Sequence, residues 1–306
     1  MAESATHLNN LGDKISGVGG RSIWGGDLGI PVGDQFEGQI DAAPDMSFAP
    51  HSRIESAGQS SAQPTNMITL PQVLRIAADA FEDIPTLFFK LRNRSLVSFN
   101  LCRALKDFAV SGRGRNVSTI LDVGANEGQF ACMARYCWPR SQICSFEPDE
   151  RAVQKYLAVH GTDARTSIRT CALSEADGAM ELRLAKVSAQ NSFLVEPGIA
   201  MEGIRKVPVH RLDDLVKTLP PAGTMLKVDV QGFEAQVLRG SVRLLPRISW
   251  ILLEVSLMNM YQGGSSVEDI WGFVRSHGFI YCAVLDQYRL PRTRVVAQMD
   301  VLFGRP

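Results

Sequence analysis

Two short motifs place an acidic residue at the end of an apolar run, where a bound ligand could reach it. The first motif, residues 121–130, reads LDVGANEGQF, and its glycines allow a tight turn with close approach of a ligand to the backbone. A helix that begins near Gly128 would offer unpaired N–H groups to an anionic group. The second motif, residues 144–148, reads CSFEP and places Glu147 25 residues after Asp122. In a nucleotide-binding α/β unit, an acid at this position accepts hydrogen bonds from ribose hydroxyls, so the two motifs together predict a nucleotide site.

The spacing of the glycines bears on which nucleotide would bind. A dinucleotide site is expected to read GxGxxG at this place, whereas residues 124–128 read GANEG, without a third glycine at the proper offset. This pattern counts against a nicotinamide-dependent oxidoreductase. That enzyme class remains an alternative, which the identity of the cofactor would decide.

Alternating strands and helices are predicted to position these motifs. The strand-like runs are residues 119–123, 142–146, 167–173, 225–230, 250–255, 279–285 and 300–303. The helical stretches are residues 128–137, 151–160, 212–218, 233–245 and 267–277. This alternation implies an α/β fold, with a mainly parallel sheet covered by helices on both faces. Because the last two of the seven predicted strands follow each other without a helix, we expect an antiparallel edge strand.

The first part of the chain differs from this α/β region, which we expect to form a domain over residues 118–306. Residues 1–66 contain 10 of the 26 glycines and carry eight acidic residues against three basic ones. Such a segment buries too little apolar surface to offset its ordering entropy, so we predict a disordered polar tail. Residues 67–117 show helical periodicity in two runs, 69–84 and 86–110, and are predicted to pack on the domain as a helical layer.

Amino-acid composition argues against some classes of binding partner and indicates the cellular compartment. Lysine plus arginine and aspartate plus glutamate both number 32, so no basic excess favours nucleic acid or a membrane surface. The six cysteines form no CxxC pair and no zinc-like spacing with histidine, which indicates free thiols in a reducing compartment. The sequence shows neither a secretory signal at its start nor an apolar run long enough to span a membrane. We therefore expect a cytoplasmic protein.

Several segments of the α/β region form a recognisable series. In order, they are LDVGANEGQF, FEPDE, ALSEADG, NSF, VHRLDDL, LKVDVQGFEAQVLRG and ILLEVS. Over about residues 118–304 this series resembles the FkbM family of methyltransferases, most specifically in DVGANEG from Asp122 and in DVQGFE from Asp229 to Glu234. The resemblance implies a class I, Rossmann-like methyltransferase, S-adenosylmethionine as donor, and a hydroxyl of a small molecule or sugar as acceptor. A non-catalytic binding protein on the same scaffold is a further alternative, against which the intact motifs count.

The resemblance also implies a set of cofactor-binding residues. The loop from Gly124 to Gly128 would cradle the methionine part of the donor, with Asp122 fixing the loop or binding the amino group. Glu147 would hold the ribose, and the end of the third strand would line the adenine. The complete set is Asp122, Gly124, Ala125, Asn126, Gly128, Glu147, Pro148, Ala172 and Leu173.

Methyl transfer to an alcohol needs an acceptor oxygen held in line and a base that takes its proton. Asp229, at the end of the fourth predicted strand and beside the point where the strand order reverses, is the first candidate for this base. Glu254, at the end of the fifth strand, is the second. His210 stands at a strand-to-helix junction and is a third candidate, although a structural role is the stronger interpretation. Asn191 and Ser192 match a serine-rich loop of the family and are candidates for contact with the acceptor.

We expect no metal ion at this site. Hard cations need several oxygen ligands, and Asp229 with Glu254 makes a small set, since Val230 and Gln231 follow Asp229. Glu234, on the next helix, is instead expected to support Asp229 or to stabilise the helix N-terminus.

Overall fold

The computed structural model describes residues 83–92, 98–290 and 292–306. The predicted tail over residues 1–66 lies outside the described residues, as does nearly all of the helix predicted over residues 69–84. The helices are α1 (Ile84–Arg92), α2 (Phe99–Val110), α3 (Gln129–Cys137), α4 (Glu150–His160), α5 (Leu212–Leu215), α6 (Glu234–Arg239) and α7 (Val267–Ser276). The strands are β1 (Thr119–Val123), β2 (Gln142–Phe146), β3 (Thr166–Arg169), β4 (Ala172–Leu173), β5 (Gly178–Ala185), β6 (Met201–His210), β7 (Thr224–Val228), β8 (Trp250–Ser256), β9 (Ile280–Arg289) and β10 (Val296–Gly304).

A seven-stranded sheet organises the domain, in the order β3-β2-β1-β7-β8-β10-β9. Strands β3, β2, β1, β7 and β8 pair in parallel, whereas β10 runs antiparallel to both β8 and the edge strand β9. The predicted Rossmann-like, mostly parallel sheet with an antiparallel hairpin at one edge is therefore confirmed. Because the chain leaves β1 towards β2 on one side and later returns to β7 on the other, the carboxyl ends of β1 and β7 flank the topological switch point, where open sheets bind ligands.

The central strands are apolar because both faces of the sheet are covered. Leu121 and Leu226 point into one cluster of buried side chains, together with residues of α6 and α7. Ile120 and Met225, their neighbours along the strands, point into a second cluster formed with α2 and α3. Alternate residues of a strand face opposite sides, so this parallel sheet needs two apolar layers.

A second sheet was not predicted. It has three strands in the order β4-β6-β5, and residues 186–200 connect β5 to β6. The prediction of one strand over residues 167–173 was wrong, because the chain turns at Arg169, whose carbonyl accepts from Cys171 N at 3.0 Å, and β4 then pairs with β6. A period-two signal was present in β5, where buried Leu182 and Leu184 alternate with the polar Glu181 and Arg183.

Several helices are shorter than predicted. The stretch predicted over residues 233–245 is helical only over α6, because the chain turns at Gly240, and Gly240 N donates to Gln236 O at the helix end. The helical run over residues 86–110 is two helices, α1 and α2, with Ser98 capping α2 by accepting from Leu101 N. Among the described residues, no helix has the length and apolar character needed to cross a membrane.

Candidate active site

A cavity of about 430 Å³ opens at the carboxyl ends of β1, β2 and β7. Its wall has a β2 side and a β8 side. The β2 side consists of Phe146, Glu147, Pro148, Cys171, Ala172, Leu173 and Leu182. The β8 side consists of Gln190, Asn191, Ser192, Phe193, Glu196, Asp229, Gln231, Glu254, Met260, Tyr261, Tyr288 and Gln298. Gly124 and Asn126 lie between the two sides, so the cavity brings most of the sequence-predicted residues together.

The glycine loop after β1 folds tightly against the end of β7. Gly124 has a φ of 74°, and a Cβ there would lie 1.9 Å from the carbonyl oxygen of Asp229. Gly128 has a φ of 94°, and a Cβ there would lie 2.7 Å from the His160 ring. Since L-residues with side chains rarely adopt such angles, both positions need glycine. Gly128 does not line the cavity, so its part is to shape the loop.

Glu147 joins the end of β2 to this loop. Its side chain is buried, and one carboxylate oxygen accepts from Asn126 N at 2.8 Å while the other accepts from Asp149 N at 2.9 Å. Burial raises the pKa of Glu147 to about 7, against the opposing effect of these two backbone hydrogen bonds. Each oxygen keeps a further lone pair for a ligand. Next to it, Asn126 Oδ1 is buried without a hydrogen-bond partner among the described residues.

Lys227, a buried lysine behind the loop, was not among the site residues predicted from the sequence. Its Nζ lies 3.2 Å from Asp122 Oδ1 and 3.6 Å from Asp229 Oδ2. The same ammonium donates to the carbonyl oxygen of Gly124 at 2.8 Å. Burial alone would lower the pKa of Lys227, but the carboxylates of Asp122 and Asp229 overcome this effect and raise it. Asp122 therefore fixes the loop through Lys227, and its side chain does not line the cavity.

Gln231 connects the two acids at the ends of β7 and β8. Its side-chain Nε2 donates to Asp229 Oδ1 at 2.9 Å and to Glu254 Oε2 at 3.0 Å. The hydroxyl of Tyr261 donates to Gln231 Oε1, which fixes the orientation of the amide. The backbone of Gln231 has a φ of 56°, an uncommon angle for a residue with a side chain. Ser192 Oγ holds this turn by donating to the Gln231 carbonyl at 2.8 Å.

Burial and neighbouring charges act on Glu254, the acid at the end of β8. Burial, followed by the carboxylates of Asp229 and Asp300, raises the pKa of Glu254 well above its ordinary value. This favours a protonated Glu254 beside Asp229, whose side chain is 33% exposed. Gln298 Nε2 also donates to Glu254 Oε2, at 3.1 Å.

A smaller cavity of about 270 Å³ lies next to the first and shares Gly124, Asn126, Asp229 and Glu254 with it. Its remaining wall includes Asp300 of β10 and Ala125 of the loop. Burial raises the pKa of Asp300 to about 7, and the Asp229 carboxylate adds to the effect.

The structure places the remaining candidates in three different settings. Asn191 lines the larger cavity, but its amide is engaged, because Nδ2 donates to Asp149 Oδ2 at 3.0 Å and Oδ1 accepts from Ala185 N at 2.8 Å. Glu234 accepts from Gly232 N at 3.0 Å and so closes the turn after β7. His210 is not brought to either cavity; its Nδ1 lies 3.2 Å from Asp177 Oδ1 near the protein surface.

Within the part of the chain that the structure describes, no group of three or more histidine, cysteine, aspartate or glutamate side chains is arranged to hold a metal ion. All six cysteines are free thiols.

Comparison with known sequences gives a family. A sequence model described as the methyltransferase FkbM domain matches residues 122–281, or 160 of the 306 residues. A protein named 2-O-methyltransferase NoeI, from Sinorhizobium fredii, is 25% identical over 159 residues, covering 47% of this chain and 65% of that protein. The hexuronic acid methyltransferase AglP of Haloferax volcanii is 26% identical over 136 residues, covering 44% of this chain and 54% of that protein. The chain thus spans less than two thirds of the length of either relative.

Solved structures give similar but more distant matches. The crystal structure of a methyltransferase FkbM from Methylobacillus flagellatus is similar with a TM-score of 0.41 and 14% identity, over 74% of this chain and 60% of that one. Fibrillarin from Aeropyrum pernix, in complex with S-adenosyl-L-methionine, has a TM-score of 0.38 and 15% identity, over 66% of this chain and 76% of that one.

Proposed function

The chain belongs to the methyltransferase FkbM domain family, and we propose that it is an S-adenosylmethionine-dependent O-methyltransferase acting on a hydroxyl of a sugar or another small molecule. One observation carries the proposal. A single cavity joins the Glu147 and Asn126 pair at the switch point to the Asp229, Gln231 and Glu254 cluster. The first group suits a nucleoside donor, and the second suits an acceptor that must lose a proton.

The β2 side has the groups that a nucleoside needs. Glu147 would accept hydrogen bonds from the ribose hydroxyls, and Ala172 and Leu173 would contact the adenine ring. The unpartnered Asn126 Oδ1 can accept a hydrogen bond from the donor, since a buried polar atom without a partner is costly. When bound, S-adenosylmethionine supplies a methyl group on a positively charged sulfur.

The β8 side has the groups that an alcohol acceptor needs. Asp229 takes the proton of the acceptor hydroxyl at a carboxylate oxygen. Gln231 holds that carboxylate in place, because its amide is itself oriented by Tyr261. A protonated Glu254 beside it adds no competing negative charge. Positioning of the acceptor oxygen and general-base catalysis together account for most of the rate that such a site can provide.

Two further observations support a sugar as acceptor. One relative of the chain is named a 2-O-methyltransferase and another a hexuronic acid methyltransferase. The β8 side carries the amides of Gln190 and Gln298 and the hydroxyls and aromatic rings of Tyr261 and Tyr288. Side chains of these types can bind several sugar hydroxyls at once.

The test is transfer of a labelled methyl group from S-adenosylmethionine to a set of hydroxylated acceptors. The wild type should label at least one acceptor. Asp229→Ala should bind the donor as the wild type does and lose about 10²- to 10⁴-fold in turnover, the range expected for loss of a general base. Glu268→Ala, which removes an exposed acid of α7, is the matched control and should retain activity. Full turnover by Asp229→Ala would refute the assignment of the base.

A further inference from the structure

We infer that the methyl acceptor is an uncharged or cationic sugar, and that uronates and phosphorylated sugars are excluded. This inference rests on the proposed function and narrows its acceptor. It is drawn from the charges on the wall of the larger cavity, and from one acid there that the proposed mechanism leaves unused.

The wall of the larger cavity carries acidic side chains and no basic ones among the described residues. The described residues that line it include no lysine, arginine or histidine, whereas Glu147, Glu196, Asp229 and Glu254 are all acids, of which Glu254 is protonated. The rest of the wall consists of amides, hydroxyls, a thiol and apolar groups. Nothing on this described wall can form an ion pair with a carboxylate or a phosphate.

Several basic side chains on neighbouring elements are paired with acids. Lys227 lines only the smaller cavity, and its ammonium is held by Asp122 and by the Gly124 carbonyl. Arg205, of β6, pairs with Glu150 at 3.3 Å. The other pairs are Arg151 with Asp149 and Glu202, and Lys155 with Glu127. None of these four cations lines the larger cavity, so none of them stands on its wall as a counter-ion for an anionic acceptor.

Glu196 is the acid that the proposed mechanism leaves unused. Val195 and Gln262 pair as an isolated bridge, with Gln262 N donating to Val195 O at 3.0 Å, which holds Glu196 beside Tyr261. Burial and then the Glu196 carboxylate both raise the pKa of Tyr261, in keeping with this proximity. Within the described part of the chain, the Glu196 carboxylate has no hydrogen-bond or ion-pair partner.

A free, half-buried carboxylate in a substrate cavity selects between substrates by their charge. It accepts hydrogen bonds from sugar hydroxyls and forms an ion pair with an ammonium group. A second anion brought beside it would be partly desolvated without a counter-ion, and like charges brought together in a binding site are strongly disfavoured. Among derivatives of one sugar ring, Glu196 and Asp229 therefore disfavour those that carry an anionic group.

The experiment uses matched sets of methyl glycosides on the glucose, galactose and mannose rings. Each set has a neutral sugar, its 2-amino analogue, its uronate and its 6-phosphate, and kcat/KM is measured with labelled S-adenosylmethionine. We expect kcat/KM for the neutral or amino sugars to be about a hundredfold higher than for the anionic members. This ratio corresponds to a difference of about 2.8 kcal/mol in transition-state binding free energy. Glu196→Lys should reduce this ratio at least about tenfold. Glu181→Lys makes the same charge change on an exposed residue outside the cavity and should leave the ratio unchanged.

The outcomes separate this inference from the proposed function. Preferred methylation of a uronate or a phosphate by the wild type would overturn the inference and leave methyl transfer standing. An unchanged preference in Glu196→Lys would also overturn it. A protein that binds the donor but labels no sugar refutes the sugar acceptor, whereas one that binds no S-adenosylmethionine in the same samples refutes the proposed function itself.

Discussion

Replacing Lys227 by methionine tests whether the buried ion cluster holds the glycine loop in place. The substitution keeps an unbranched side chain over the Phe130 ring, from which Nζ now lies 5.6 Å, but removes the charge. Asp122, which is fully buried, then loses the cation 3.2 Å from its carboxylate. Removing one partner of a buried ion pair costs about 3–5 kcal/mol. We expect Lys227→Met to lose that much free energy of unfolding at pH 8, and to bind the donor more weakly because the Gly124 carbonyl is released.

The loss should depend on pH in a definite direction. Burial already raises the pKa of Asp122, and removing Lys227 raises it further. A carboxyl whose pKa in the folded state lies above its unfolded value of about 3.9 contributes stability that is present at low pH and lost as the pH rises through the folded pKa. The free energy of unfolding of the variant should therefore approach that of the wild type at about pH 4, and the difference between them should be largest at alkaline pH.

Urea unfolding followed by tryptophan fluorescence at several pH values measures both effects. The control is the double variant Lys227→Met with Asp122→Asn, which removes both charges and should recover a large part of the loss. The reasoning is refuted if the single variant stays within about 1 kcal/mol of the wild type at pH 8, below the range for a broken buried pair. It is also refuted if the double variant is no more stable than the single one.

Two further substitutions test the loop and the acid pair. Gly124→Ala should cost several kcal/mol of unfolding free energy or prevent folding, because its Cβ would lie 1.9 Å from a backbone oxygen; Gly178→Ala, which meets nothing within 4 Å, should be close to neutral in the same urea experiment. Tyr261→Phe should leave donor binding intact but free the Gln231 amide, whose hydrogen bonds hold Asp229 and Glu254 in place. Because the base is then less well positioned, kcat should fall about tenfold or more while the affinity for the donor stays the same. An unchanged kcat would contradict this role.

The fold was largely predictable because its signals are local. Each central strand is a short apolar run, and helical periodicity returns between most of them, which is the pattern of a parallel sheet. The second sheet escaped because β6 is mostly exposed and contains Pro208, so its residues resemble a loop more than a strand. The helix predicted over residues 233–245 was too long because apolar residues continue through the turn at Gly240. Packing of the chain, and not the periodicity of its apolar residues, determines where α6 ends.

The lining of the candidate site was predictable where an acidic residue stands at the end of a predicted strand. Glu147, Asp229 and Glu254 all line the cavity for this reason. Lys227 was missed although a signal existed, since a lysine inside a buried strand needs a partner and pairing of β1 with β7 places Asp122 opposite it. No such signal exists for Gln231, whose part depends on a positive φ that its residue type does not indicate.

Calorimetric titration with S-adenosylmethionine tests the central claim most directly. The wild type should bind the donor at one site and should not bind NAD. Glu147→Ala should lose about a hundredfold or more in affinity, since it removes a buried carboxylate that would accept from both ribose hydroxyls, while still unfolding cooperatively in urea. Absence of S-adenosylmethionine binding to the wild type, binding of NAD in its place, or undiminished affinity in Glu147→Ala would contradict the account.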